Sequence, residues 1–162
     1  MRKVIEDNVI LKSCCFEELF DLSDVKIIGN FDCSINYLKN LAGSPKHVTG
    51  DFICSNNQLS SLNGAPLIVD GDFLCNDNKL SNLVGAPQYV GADFNCKGNN
   101  LRSLEGIPKI IKGRFIINDE LIKRWGRKYI QSLSDIQGRI DNRMSGWFDA
   151  GHFETPEDRD FE

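Results

Sequence analysis

Six cysteines, two histidines and a recurring aspartate are the residues of this chain whose types invite chemistry. Thiolates and imidazoles hold metal ions, and a thiol or hydroxyl beside a base is a nucleophile. Their spacing argues against both uses. Cys33, Cys54, Cys75 and Cys96 stand 21 residues apart, so in a repeating fold they line up in a row and do not surround a tetrahedral ion. Cys14-Cys15 lacks the C-x-x-C spacing of a redox or zinc pair, and one of the two is expected to be buried. His47 lies on the return segment, whereas His152 sits near the tail with Asp149 and Glu154 close in sequence. A general base needs a positioned partner and a pocket, and neither can be argued for either histidine. There is no P-loop, no G-x-S-x-G elbow and no H-E-x-x-H. The aspartates lack the liganding spacing of a calcium loop. The expectation is a protein that is not an enzyme and carries no metal or cofactor.

The elements that place these residues are repeats. Phe31, Phe52, Phe73, Phe94 and Phe115 recur every 21 residues, and the cysteine column follows two positions later. Asn36, Asn57, Asn78 and Asn99 form another column, as do Leu38, Leu59, Leu80 and Leu101, and Leu41, Leu62, Leu83 and Leu104. Gly43, Gly64, Gly85 and Gly106, with Pro45, Pro66, Pro87 and Pro108, close each unit, and Val48, Val69, Val90 and Ile111 lead into the next. Phe and Cys at i and i+2 share one side of a strand and face a core. Asn can bond the backbone where the chain leaves the strand, and Gly and Pro bend it into a return segment. A single unit cannot bury its own apolar face, so stacking makes the core.

The unit reads Gly-Asp-Phe-x-Cys-x-x-Asn-x-Leu-x-x-Leu-x-Gly-Ala-Pro-x-x-Val-x. It resembles the leucine-rich repeat, L-x-L-x-x-N-x-L, with Phe and Cys in place of the first two leucines. The short unit is similar to the compact bacterial subclass known from secreted effectors and to arrays in tailed-phage genomes. It differs from the effectors in its single Pro per unit and in having no ligase domain behind it. The resemblance covers residues 29–117. It implies a solenoid with short parallel strands on a concave face, a polyproline-like or turn-like convex side and a helical C-terminal cap. It also implies a protein-binding role, such as a phage or bacterial inhibitor or adaptor that engages a host protein.

On the concave face, the positions flanking Phe and Cys form three outward stripes: Asn30, Asp51, Asp72, Asp93 and Arg114; Asp32, Ile53, Leu74, Asn95 and Ile116; Ser34, Ser55, Asn76, Lys97 and Asn118. Ile53 and Leu74 are expected as an exposed apolar pair rimmed by charge, the usual composition of a binding patch. Asp32, Asp51, Ile53, Asp72, Leu74, Asn76, Asp93, Asn95 and Lys97 are therefore the candidate partner-binding residues, suited to a basic or amphipathic protein surface. A competing reading gives the aspartates to the Gly-Asp turns that enter each strand.

The ends differ from the array. Residues 1–28 read as an N-terminal cap with a degenerate first repeat, in which Ile10 takes the Phe column, Lys12 the Cys column and Ile27 the Val column. A strand is expected near 8–12 and a short helix near 15–21. Residues 118–153 read as a helical C-terminal cap. Leu121, Ile122, Trp125, Tyr129, Ile130 and Leu133 recur at helical spacing, Asn118 or Asp119 caps the start, and a second element lies around Ile136, Ile140 and Trp147-Phe148. Residues 154–162 read as an acidic tail.

The net charge of −4 is uneven. Residues 109–148 hold nine basic and four acidic residues, and 149–162 hold one basic and six acidic. Lys123, Arg124, Arg127 and Lys128 form the alternative site, a basic patch that would contact phosphates with Trp125 or Tyr129 for stacking. An overall acidic chain is a poor nucleic-acid binder by default, so nucleic acid ranks second as partner. No apolar run approaches the roughly 18–20 residues of a membrane span, and the acidic N-terminus does not fit a signal peptide. A cytoplasmic location is expected.

Overall fold

A computed structural model describes residues 3–143. Within them the chain coils as a solenoid-like repeat in which every turn contributes one short strand to each of two parallel sheets. The first sheet holds, in chain order, β2 (Val9–Ile10), β4 (Phe31–Asp32), β6 (Phe52–Ile53), β8 (Phe73–Leu74), β10 (Phe94–Asn95), β12 (Phe115–Ile116) and β14 (Ile140–Asp141). The second holds β1 (Lys3–Ile5), β3 (Val25–Ile27), β5 (His47–Val48), β7 (Ile68–Val69), β9 (Tyr89–Val90), β11 (Ile110–Ile111) and β13 (Asp135–Ile136).

The second sheet corrects one expectation. The return segment makes the expected turn, at Ala42–Gly43 in the first full unit. It then ends in a two-residue strand that pairs in the second sheet, in place of the polyproline-like or turn-like stretch expected throughout. Strands β5, β7, β9 and β11 each begin two residues after a proline, so the missing proline N–H falls before the ladder and not within it. Val48, Val69, Val90 and Ile111 then point inward and are fully buried, while His47, Ile68, Tyr89 and Ile110 pair in a column on the outside.

Between the sheets the repeat columns meet in one core of Phe, Cys, Leu and Val side chains. The five phenylalanines stack along the axis with ring centroids 5.2, 5.4, 5.3 and 5.7 Å apart. The asparagines hold the bend. Asn57 Nδ2 donates to the carbonyls of Cys33 and Cys54 at 3.0 and 3.1 Å, and its Oδ1 accepts the Leu38 N–H at 3.0 Å. Asn78 repeats the set one rung on. Gly85 has φ +92°, and a Cβ there would sit 2.5 Å from the Asn63 backbone nitrogen, so the column is glycine for both conformation and space.

The first turn follows the same path by a shifted register. Val9, not Ile10, pairs with Phe31, and Ile10 lies opposite Asp32 with 59% exposure. Leu11 rather than Lys12 therefore takes the cysteine column and packs on the core. The expected helix near 15–21 is absent, although the strand near 8–12 is present as β2. The segment instead imitates a repeat unit: Asn36 Oδ1 accepts the N–H groups of Cys14 and Phe16, and Phe16 and Leu19 pack on the core.

At the other end the expected single helix is two, α1 (Asp119–Trp125) and α2 (Arg127–Leu133). Gly126, at φ +78° and ψ 144°, breaks the helical path between them. Asn118 occupies the N-cap position without a capping side-chain bond, because its Oδ1 accepts the Gly98 N–H at 2.9 Å. Leu121, Ile122 and Ile130 join the core. Ile136 and Ile140 lie in β13 and β14, which add a last rung. Trp147, Phe148, His152 and the acidic segment 154–162 lie outside the described residues.

Candidate functional site

The aspartate stripe is built by a single bond repeated along the first sheet. Asn8 Oδ1 accepts the Asn30 N–H at 2.7 Å, and Asn30 Oδ1 accepts that of Asp51 at 2.8 Å. Asp51 serves Asp72, Asp72 serves Asp93 and Asp93 serves Arg114, each at 2.8 Å. One carboxylate oxygen of each aspartate is thereby tied to the next rung. The turn-chemistry reading holds for that oxygen, but it does not account for the charge, because neutral Asn8 and Asn30 make the same bond.

The three carboxylates are half-buried and stand on successive rungs, about 4.8 Å apart. Arg114 closes the column, with Nε and Nη2 donating to Asp93 Oδ2 at 3.1 and 2.8 Å. Asp72, in the middle, has its carboxyl pushed up to about 6. Burial is the main cause; the Asp93 N–H bond opposes it, and the Asp51 and Asp93 charges add to it.

The neighbouring stripes are more enclosed than the sequence suggests. Ile53 and Leu74 lie outside the interior cluster, yet they are 7% and 1% exposed, which corrects the expectation of an open apolar pair. Asn95, Ile116, Ser34, Ser55 and Asn76 are buried too. Part of that enclosure comes from ladder neighbours at the strand spacing on either side. Asp32 Oδ1 accepts the N–H and hydroxyl of Ser34 at 2.9 and 2.6 Å, and Asn95 Oδ1 accepts the Lys97 N–H at 3.0 Å. Asn76 Nδ2 donates to Asp77 Oδ2 at 2.8 Å. Lys97 reaches across to the Asn142 carbonyl at 2.6 Å. The nine candidate residues therefore lie in or beside the strands of the first sheet, and what that face presents to solvent is the carboxylate column more than an apolar patch.

The basic patch is present at the surface. Lys123 and Arg124 on α1, and Arg127 and Lys128 on α2, are all exposed. Lys123 pairs with Asp119 at 2.8 Å, a hydrogen bond that raises its pKa. Tyr129 is exposed and Trp125 is packed against the core. Sequence reasoning missed Arg139 and Arg143, which join Arg127 around a cavity of about 520 Å³. They belong to the same basic block, but β14 had to be placed before they could be brought beside α2.

The cysteines are divided between the core and the surface. Cys33, Cys54, Cys75 and Cys96 are buried among the core side chains, where loss of hydration raises their thiol pKa values. Cys14 and Cys15 are both exposed, contrary to the expectation that one is buried. Among the described residues no group of three or more His, Cys, Asp or Glu could hold a metal. His47 Nε2 lies 2.7 Å from Asp70 Oδ2 on the second sheet, beside a cavity of about 310 Å³ bordered by Leu67 and Ile68. Among the described residues no helix is long and apolar enough to cross a membrane.

No protein-family model, no curated protein and no solved structure matches this chain.

Proposed function

We propose that this chain is a module of the leucine-rich-repeat type that binds another protein through the aspartate column of its first sheet. The partner is a protein with a basic or amphipathic surface, and the chain itself carries out no reaction. A role as inhibitor or adaptor rests on the sequence resemblance alone.

One observation carries the reading. The structural bond of the column needs only an acceptor oxygen, which Asn30 supplies without charge, whereas Asp51, Asp72 and Asp93 add three carboxylates. Like charges on adjacent strands cost stability, roughly a few tenths of a kcal/mol per pair. The raised pKa of Asp72 reflects that crowding along with its burial. The Asp93 charge also pairs with Arg114, whereas the ladder bonds of Asp51 and Asp72 need no charge, and carboxylates in excess of what the fold needs are supported by use elsewhere. A cationic partner relieves the repulsion and gains steering toward the face.

The experiment uses substitutions that preserve the bond. Asp51→Asn, Asp72→Asn and Asp93→Asn together keep each Oδ1 acceptor while removing the charge. Affinity capture from a native lysate with quantitative mass spectrometry compares this variant with wild type. Loss of a basic protein by the folded variant is the expected result. Equal recovery by both chains would remove the aspartate column as the binding site.

A further inference from the structure

We propose that the cavity over β3, β5 and β7, on the outer face of the second sheet, binds a small amphipathic carboxylate. The cavity, of about 310 Å³, is built from two columns that run across three successive rungs. One column is Val25, Lys46 and Leu67, and the other is Lys26, His47 and Ile68, with Asp24 at the border. Val25 is buried, whereas Leu67 and Ile68 are 57% and 40% exposed, so two adjacent aliphatic side chains form an apolar floor open to water. Residues of this kind inside a concave surface, with a few polar groups at its edge, are the usual make-up of a small-molecule site. The next rung places the more polar Gln88 and Tyr89 in the same two columns, and the apolar floor is interrupted there.

Charge selects the ligand. The two carboxylates nearest the cavity are already engaged: Asp24 pairs with Lys3 at 3.3 Å, and Asp70 Oδ2 stands 2.7 Å from His47 Nε2. Lys26 and Lys46 have no carboxylate partner among the described residues. A lysine at such an edge lays its aliphatic stem on apolar surface and keeps its ammonium in water. Two unpaired ammonium groups beside a Leu–Ile floor suit a ligand with one carboxylate and an apolar body. A cationic ligand would be repelled by both lysines, and a neutral one would gain nothing from them. The volume agrees with a small ligand, since such pockets span roughly 300–1,000 Å³ and this one lies at the lower end. The cavity lies on the other sheet from the aspartate column, so the two sites stand or fall separately.

The probe is sodium octanoate, kept below its micelle concentration and titrated into the isotope-labelled full-length chain while two-dimensional NMR follows the backbone amides. Saturable shifts are expected at Lys26, His47 and Ile68, with a dissociation constant on the order of millimolar or tighter. Octyltrimethylammonium has the same chain with the opposite charge, and it is expected to bind at these amides at least about tenfold more weakly. Lys26→Gln with Lys46→Gln is expected to weaken octanoate at least about fivefold while keeping the melting midpoint of wild type. Leu67→Ser with Ile68→Thr removes the floor and is expected to abolish saturation while keeping the circular dichroism spectrum. Absence of saturable shifts at these amides in wild type would overturn the proposal. Equal binding of the two probes there would reduce the cavity to bare apolar surface and overturn it too. Undiminished octanoate binding by either folded variant would have the same effect.

Discussion

Asn30 and Asp51 hold equivalent places on adjacent rungs, and each accepts a backbone N–H from the rung that follows, at 2.8 Å in both cases. The pair separates what the position must do for the fold from what it adds. An amide oxygen suffices for the ladder, and the carboxylate adds a charge.

Asp72 gives that charge a measurable signature. Its folded pKa of about 6 lies above the ordinary 3.8, mainly through burial. Between those values the folded state keeps a proton that the unfolded chain has released, so its contribution to stability falls as pH rises through the window. The penalty at neutral pH is on the order of 2 kcal/mol. Asp72→Asn is expected to remove this slope and to stabilise the protein at neutral pH by about 1–2 kcal/mol, since the acceptor oxygen remains. Urea unfolding at acid and neutral pH checks it. A variant whose stability differs from wild type by the same amount at both pH values would contradict the assignment.

The asparagine ladder is expected to be the most sensitive polar feature of the core. Asn78→Ala leaves the Leu59 N–H without its acceptor and removes a donor from the Cys54 and Cys75 carbonyls. Each carbonyl keeps a second amide donor, Asn57 for Cys54 and Asn99 for Cys75, so the Leu59 N–H is the group left unpaired and a loss of about 1–3 kcal/mol is expected in equilibrium unfolding. A loss below about 1 kcal/mol would show that water replaces the amide.

Ile35 marks a place where the repeat is strained. It has φ +54°, as do Asn56 at +54°, Asp77 at +57° and Gly98 at +73° in the units that follow. Asn, Asp and Gly tolerate this left-handed conformation, whereas a β-branched side chain does not. Ile35 is also 47% exposed, so its replacement sacrifices little packing. Ile35→Asn is expected to raise stability by about 1 kcal/mol, seen as a higher melting midpoint.

The thiols divide into two classes. Cys14 and Cys15 are exposed, and Cys33, Cys54, Cys75 and Cys96 are buried. A thiol reagent is expected to modify the first two in the native protein and the other four only after denaturation. Fast labelling of a column cysteine without denaturant would require the core to open locally.

The period-21 columns made the first sheet legible, because Phe, Cys, Asn and Leu each do one job at every rung. The second sheet was hidden by brevity. Two-residue strands such as His47–Val48 carry no alternation long enough to read, and the proline before them suggests an extended loop. The first turn misled because its register slips by one residue, so Leu11 fills the cysteine column while Lys12 stands 21 before Cys33. The αL column signalled itself only in part, since Asn56, Asp77 and Gly98 are turn formers but Ile35 is not. On the candidate site, residue identities were readable and exposure was not. Leu74 points away from the core, and whether it is covered depends on packing that sequence spacing does not report.

Because each rung offers the next the same acceptors that it receives from the last, the ladder carries no internal address. Joining Gly71 directly to Asp93 would bring the Asp93 N–H to Asp51 Oδ1, the acceptor that now serves Asp72, and would set Phe94 on Phe52 and Asn99 under Asn57. Loss or gain of a whole unit therefore changes the length of the carboxylate row while leaving every remaining bond of the same kind. Only the ends keep count, through the one-residue slip at Val9 and the two helices before β13. Adding or removing a unit would change the reach of the molecule in steps of one strand spacing, with no new joint to make.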